Sequence, residues 1–244
     1  MKIIKPYAKI LGNEHTNFDS MKKIEWCSRI SHRSEEAQTE DSWKRFIKAV
    51  VIDHGDWSVV EHVSVTVDAI MDRGITHEWV RHRLFSFTQE STRFVNYEKK
   101  MPPAFIYPKP EVDCSFCISG EELKRGADYG LSSFRHSGIT CGYDKDWLQS
   151  IYEAERSYKA LLAKGWRPQE ARSVFPNALA SRIVTTGNLR NWRHFFSMRV
   201  TAAAHPQMRQ ITIPLLAEFK EAFPLLFDEI IPNSKQSESM KIGR

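Results

Sequence analysis

Between Arg81 and Phe94 the chain reads Arg-His-Arg-Leu-Phe-Ser-Phe-Thr-Gln-Glu-Ser-Thr-Arg-Phe, the densest run of chemistry-bearing side chains in its 244 residues. Three cationic or titratable groups in a row cannot share one helix face, so at least one of Arg81, His82 and Arg83 has to meet protein or ligand. The hydroxyls of Ser91 and Thr92, the amide of Gln89 and the guanidinium of Arg93 follow. Together they are able to satisfy a phosphate and a planar heterocycle. The plainer alternative is a basic helix end that complements its own dipole. Farther along, Ala171 to Ala217 holds no Asp, Glu or Lys, yet carries Arg172, Arg182, Arg190, Arg193, Arg199 and Arg209. The planar fork of arginine grips phosphate or carboxylate bidentately, so this stretch reads as fixed anion sites. Pairing with acids of the N-terminal half competes on even terms for each of these arginines.

Other chemistries fit less well. His77-Glu78-Trp79-Val80-Arg81-His82 narrowly misses the H-E-x-x-H zinc pattern: at i, i+5 the two histidines diverge by roughly 140° around a helix. Cys114 and Cys117 have the spacing of a zinc knuckle, with His136 and Cys141 downstream, but one such pair is weak and free thiols are the main reading. No GxGxxG, GxxxxGK[ST] or GxSxG motif occurs, and no cysteine has an activating basic context. Any nucleotide has to be held by side chains and helix ends.

The elements that must position these groups mix helices and strands. Helical spacing runs from Phe18 to His32 and again from about Glu40 to His54, closed by Gly55. Val63, Val65, Val67 and Ala69 alternate with Ser64, Thr66 and Asp68, predicting a half-buried strand. After the Asp72–Gly74 turn the pattern turns helical through Ile75, Trp79 and Val80 towards Arg83, which puts His77, Glu78 and Arg81 on one face. Lys99 to Gly142 is rich in Pro, Gly, Ser and Cys and reads as a long irregular connection. Further helices are expected from Tyr143 to Lys164, from Pro168 to Val174, from Asn188 to Val200 and from His205 to Phe223, with a strand from Ser181 to Thr186. Without regular βαβ alternation the class is α+β. The four cysteines suggest a reduced chain, and no apolar run approaches the roughly 18 residues of a spanning helix. The N-terminus lacks a secretory pattern, so a cytoplasmic location is expected, with no membrane partner. The net charge of +5 and pI near 9.0 suit an anionic substrate, cofactor or nucleic acid without choosing among them.

The run Arg81-His82-Arg83, seven residues, then Ser91, resembles the RHRx7S signature of the flavin-dependent thymidylate synthases. Supporting segments fall in the family's order. Trp57-Ser58-Val59-Val60-Glu61-His62 resembles its stretch ending in Glu-His before a strand. Ala171-Arg172-Ser173-Val174-Phe175-Pro176 resembles its A-R-x-x-L-P segment, and Asn188-Leu189-Arg190 through His194-Phe195 its N-x-R…H-F helix. Arg199 stands where that helix carries its key arginine. The likeness spans about Gly55 to Phe227, leaving an unmatched, insertion-like segment at about 100–142. The family more often has Gln where Glu78 stands, His at Asp56 and Ala203, and Tyr at Phe94.

The resemblance implies one domain over residues 1–244 with a mixed, largely antiparallel sheet flanked by helices. It implies conversion of dUMP to dTMP, with methylenetetrahydrofolate giving the methylene group and NADPH-reduced FAD the hydride, in a homotetramer with shared active sites and no nucleic-acid partner. The implied FAD contacts are Ser58, Arg81, His82, Arg83, Gln89, Asn188, Leu189, Arg190 and His194. The implied dUMP contacts are Glu78, Trp79, Val80, Arg81, Gln89, Glu90, Ser91, Thr92, Arg93, Arg172 and Arg199, with Arg199 as the catalytic residue and no metal. Helical geometry supports Arg199: Asn188, Trp192, Phe195 and Arg199 fall within roughly 60° of one another, so the charge shares a stripe with aromatics and must be paired or meet a ligand. The alternative is a non-enzymatic, arginine-rich nucleic-acid-binding module, with steep salt dependence and no chromophore.

Overall fold

The computed structural model describes residues 2–12, 18–99, 102–111 and 144–234, and the backbone alone of segments 116–117, 134–136 and 139–141. In chain order the strands are β1 (Lys2–Ile3), β2 (Tyr7–Ile10), β3 (Ser64–Asp72), β4 (Ser86–Gln89), β5 (Ala104–Phe105), β6 (Phe116–Cys117), β7 (Phe134–His136), β8 (Ile139–Cys141) and β9 (Ala180–Asn188). The α-helices are α1 (Phe18–Arg29), α2 (Ser42–Phe46), α3 (Arg73–Trp79), α4 (Lys145–Ala163), α5 (Pro168–Ala171), α6 (Leu189–Arg199) and α7 (Pro206–Ala222). A four-stranded sheet has the order β2-β3-β9-β4, a small sheet the order β5-β1-β6, and β7 pairs with β8. The fold is α+β, as the sequence patterns suggest.

The central pair is antiparallel, and its register is set from both ends. Leu189 N donates to Val63 O at 3.0 Å, and Arg73 N donates to Leu179 O at 3.0 Å. Midway, the hydroxyls of Thr66 and Thr186 meet at 2.9 Å. Val65, Val67 and Ala69 are fully buried, as their alternation predicts. The opposite face departs from expectation, because Asp68 is also buried, so β3 is covered on both sides over part of its length.

The chain forms two compact units. Residues 1–7, 70–79 and 89–183 make the first, residues 8–69, 80–88 and 184–244 the second, so residues of both long strands fall in each.

In the first unit, Leu148, Ile151 and Tyr158 of α4 meet Ile3, Phe105 and Leu179 in one apolar cluster. Helix α4 starts where Asp144 accepts from Trp147 N at 3.0 Å and stops at Gly165, whose φ of +88° suits a residue without a Cβ. Asp72 starts α3 in the same way, accepting from Ile75 N at 3.0 Å. The helix expected to run on towards Arg83 ends at Trp79, so His77, Glu78 and Arg81 do not share a helical face.

The second unit is built on aromatics. Trp192, Phe195 and Phe196 of α6 pack edge-on or tilted against one another and, with Phe219 of α7 and Phe227, are fully buried. Each such ring contributes roughly 1.5–3 kcal/mol by leaving water. Asn188 caps α6, accepting from Asn191 N at 2.9 Å, so β9 passes straight into the helix that carries Arg199. The segment expected to be helical to His54 changes to a π-helix at Ile47–Asp53 before Gly55 turns the chain at φ +92°.

Candidate active site

In the second unit, Arg81, His82, Arg83, Asn191, His194 and Arg199 line a cavity of about 290 Å³, together with Leu84, Phe85 and Met198. Residues 80–85 turn instead of continuing α3, and α6 holds the turn in place: Asn191 Nδ2 donates to Leu84 O at 2.9 Å. The Phe85 ring packs 4.7 Å from Trp192 and lies over Gly187, where any Cβ would overlap it. The ring of His82 meets that of Phe195 at 4.8 Å, edge to face. Nε of Arg199 donates to Nε2 of His82 at 2.9 Å. Burial first, then the charge of Arg199 and the nearness of His194, lower the His82 pKa to about 4, so the ring is neutral at pH 7.

The Asn188–Trp192–Phe195–Arg199 stripe is present, with the two aromatics buried and Arg199 half-buried. Some arginines do meet acids. Arg190 is bound to Glu61 of the N-terminal half at 2.6 Å, while Arg193 pairs with Glu229 and lies 4.0 Å over the Trp57 ring. Ser58 is elsewhere in the second unit: it lines a separate cavity of about 570 Å³ with Cys27, Arg29, His32, His54 and Phe46. There Asp56, where the family favours histidine, lies 3.4 Å from His54.

The residues given to dUMP fall in the first unit, apart from Val80, Arg81 and Arg199. Arg172 Nη1 donates to Thr92 Oγ1 at 2.6 Å and its Nε to the Gln169 carbonyl at 3.2 Å. The Gln169 side chain in turn accepts from Arg93 Nε at 3.0 Å. Two guanidinium groups are thereby fixed from one residue, a polar partner that sequence reasoning missed because nothing in a lone glutamine marks it. Gln89 Nε2 donates to Thr76 Oγ1 and to Ser181 Oγ, both at 3.0 Å. Because the Thr76 hydroxyl spends its hydrogen on Arg73 O, it has to accept from Gln89, which settles the amide with its carbonyl oxygen aimed away from them. Glu90 accepts from the Tyr97 hydroxyl at 2.8 Å, and burial followed by that carboxylate pushes the phenol well above its ordinary pKa. Phe94 is largely exposed, with the Arg93 guanidinium 5.2 Å from its ring centre.

Among the described residues, no group of three His, Cys, Asp or Glu stands ready to hold a metal ion, and no helix is long and apolar enough to cross a membrane. The side chains of Cys114, Cys117, His136 and Cys141, on which a zinc site would rest, lie outside the described residues.

Fold and site thus define an α+β protein with a cationic cavity at a helix flank. The Thymidylate synthase complementing protein family model matches residues 14–225. The chain is 37% identical over 180 residues to the flavin-dependent thymidylate synthase of Corynebacterium aurimucosum, covering 73% of this chain and 67% of that one. It is 31% identical over 219 residues to that of Corynebacterium diphtheriae, covering 86% and 79%. Its fold is like that of the UMP/dUMP methylase PolB from Streptomyces cacaoi bound with 5-Br dUMP, with a TM-score of 0.65 at 21% identity over 93% of this chain and 95% of that one. The chain belongs to the flavin-dependent thymidylate synthase family, and with it to the methyltransferases. The nucleic-acid-binding module set beside this reading has no support.

Proposed function

We propose that the protein methylates dUMP to dTMP with methylenetetrahydrofolate and NADPH as co-substrates. When bound, FAD supplies the hydride that reduces the transferred methylene group. The donor set fits such a cofactor. Arg81, Arg83 and Asn191 offer the cation and amide donors an anionic, hydrogen-bonding group needs, and Leu84, Phe85 and Met198 offer apolar surface to a flat ring. The cavity is at or below the small end of the roughly 300–1,000 Å³ usual for ligand pockets, so it holds part of a dinucleotide. That favours a cofactor site completed by a second copy, with Ser58 contributing from its own cavity and a homotetramer as the assembly.

Arg93 and Arg172 bind the dUMP phosphate as bidentate forks, held by Thr92 and Gln169. The carbonyl oxygen of Gln89 takes a ring N–H. Glu78, Trp79, Val80, Glu90 and Ser91 shape the nucleotide site, and Asn188, Leu189, Arg190 and His194 the flavin site. Arg199 places a fixed positive charge against the uracil ring, lowering the cost of the negative charge that makes C5 nucleophilic. No cysteine is used.

The observation that carries this reading is Arg199 held against a neutral, buried His82 on the lining of an arginine-rich cavity. The test is turnover by purified protein showing flavin absorbance: dTMP should form from dUMP only when both methylenetetrahydrofolate and NADPH are present. Colourless protein, or methylation without the folate, overturns it.

A further inference from the structure

A guanidinium Nε always carries its hydrogen and never accepts. The contact from Arg199 Nε to His82 Nε2 at 2.9 Å therefore requires a lone pair on Nε2, so His82 is the neutral Nδ1–H tautomer. The imidazole cannot turn away. It is 9% exposed, set edge-on against Phe195 at 4.8 Å, and lies 6.4 Å from the Phe85 ring and 6.3 Å from that of His194. The backbone of Arg199 is fixed as well, because Thr212 Oγ1 of α7 donates to its carbonyl at 2.9 Å. One end of the residue is thus tied to α7, and the other to the turn that follows α3.

We propose that His82 is a positioning residue for Arg199, accepting its Nε–H so that the guanidinium keeps one orientation on the cavity lining. This rests on the reading of Arg199 as the group that acts on the pyrimidine. It gives the histidine of the Arg-His-Arg run a task apart from flavin contact. The titratable and charged groups around His82 are Arg199 and His194 on α6 and the flanking Arg81 and Arg83. No carboxylate is among them, and burial first, then Arg199 and His194, oppose protonation of the ring, in keeping with its low pKa. A protonated His82 has no lone pair on Nε2 and would release the arm.

The test joins spectroscopy to kinetics. Protein with ¹⁵N-labelled histidine should show at pH 7 one Nδ1–H imidazole whose signal is absent from His82→Gln. A protonated or Nε2–H ring overturns the proposal. In the flavin-loaded enzyme, His82→Ala should lower kcat on the order of 10- to 100-fold. With FAD added to saturation, the KM for dUMP should stay within about threefold. His82→Gln, whose Oε1 still accepts, should recover most of the loss. In an Arg199→Ala background, His82→Ala should cost less than about threefold more. No recovery in the Gln variant, or full additivity with Arg199→Ala, overturns the proposal. Wild-type turnover by Arg199→Ala overturns the role given to Arg199 itself. A wrong tautomer beside an inactive Arg199→Ala overturns the positioning role alone.

Discussion

Arg190, which begins the exposed edge of α6, is bound at 2.6 Å to Glu61, the residue before His62 at the end of the 3-10 turn Trp57–His62. Both partners are close to half exposed, so the pair contributes less than about 1 kcal/mol to stability. Its effect is to hold Arg190 in one place. Glu61→Ala should leave thermal unfolding nearly unchanged while lowering flavin retention several-fold, in the direction of Arg190→Ala. Flavin absorbance after gel filtration, set beside a melting curve, checks this.

Arg172 uses two different edges of its guanidinium, one on Thr92 and one on the Gln169 carbonyl. Lysine keeps the charge but not that geometry. Losing one charged hydrogen bond costs about 1.5–3 kcal/mol, so Arg172→Lys should bind dUMP at least tenfold more weakly in a calorimetric titration. Equal affinity would place the phosphate elsewhere.

Gly187→Ala should cost about 1–3 kcal/mol of stability, read as a lower urea midpoint, and reduce flavin content with it. The new Cβ would collide with the Phe85 ring, which is packed against Trp192 and next to His82. The collision therefore reaches the cavity as well as the sheet.

His82 also makes stability depend on pH in a defined window. Its folded pKa lies near 4, against about 6.5 when unfolded, so the unfolded chain binds a proton that the native ring refuses. The contribution is complete above pH 6.5 and lost as pH falls towards 4, amounting to about 3 kcal/mol at most. Denaturant titrations across pH 4–7 should slope less steeply for His82→Gln than for the wild type.

Local rules recover the elements where local physics decides. Asn188 before an apolar-periodic run, Asp144 before another and Gly165 after it set helix ends by caps and by φ. The alternation Val65, Val67, Ala69 sets the buried face of β3. The stop of α3 at Trp79 was not legible, because contacts far along the chain hold residues 80–85 out of helical geometry: Asn191 on Leu84, and Phe195 and Arg199 on His82. The burial of Asp68 likewise depends on what covers the second face of β3. In the site, residue types and the family pattern gave the candidates. The pairings that orient them, His82 with Arg199 and Gln169 with Arg93 and Arg172, span up to 117 positions and leave no periodic trace.

The facing hydroxyls of Thr66 and Thr186 are 120 positions apart in the chain. During synthesis, β3 leaves the ribosome while β9, its antiparallel neighbour, is still untranslated. At about 5–20 residues per second, that edge waits roughly 6–24 s before it can pair. Val65, Val67 and Ala69 cannot complete their core in that interval. A nascent chain arrested before Ala180 thus presents an apolar strand with an open edge, the form of this protein most in need of a chaperone.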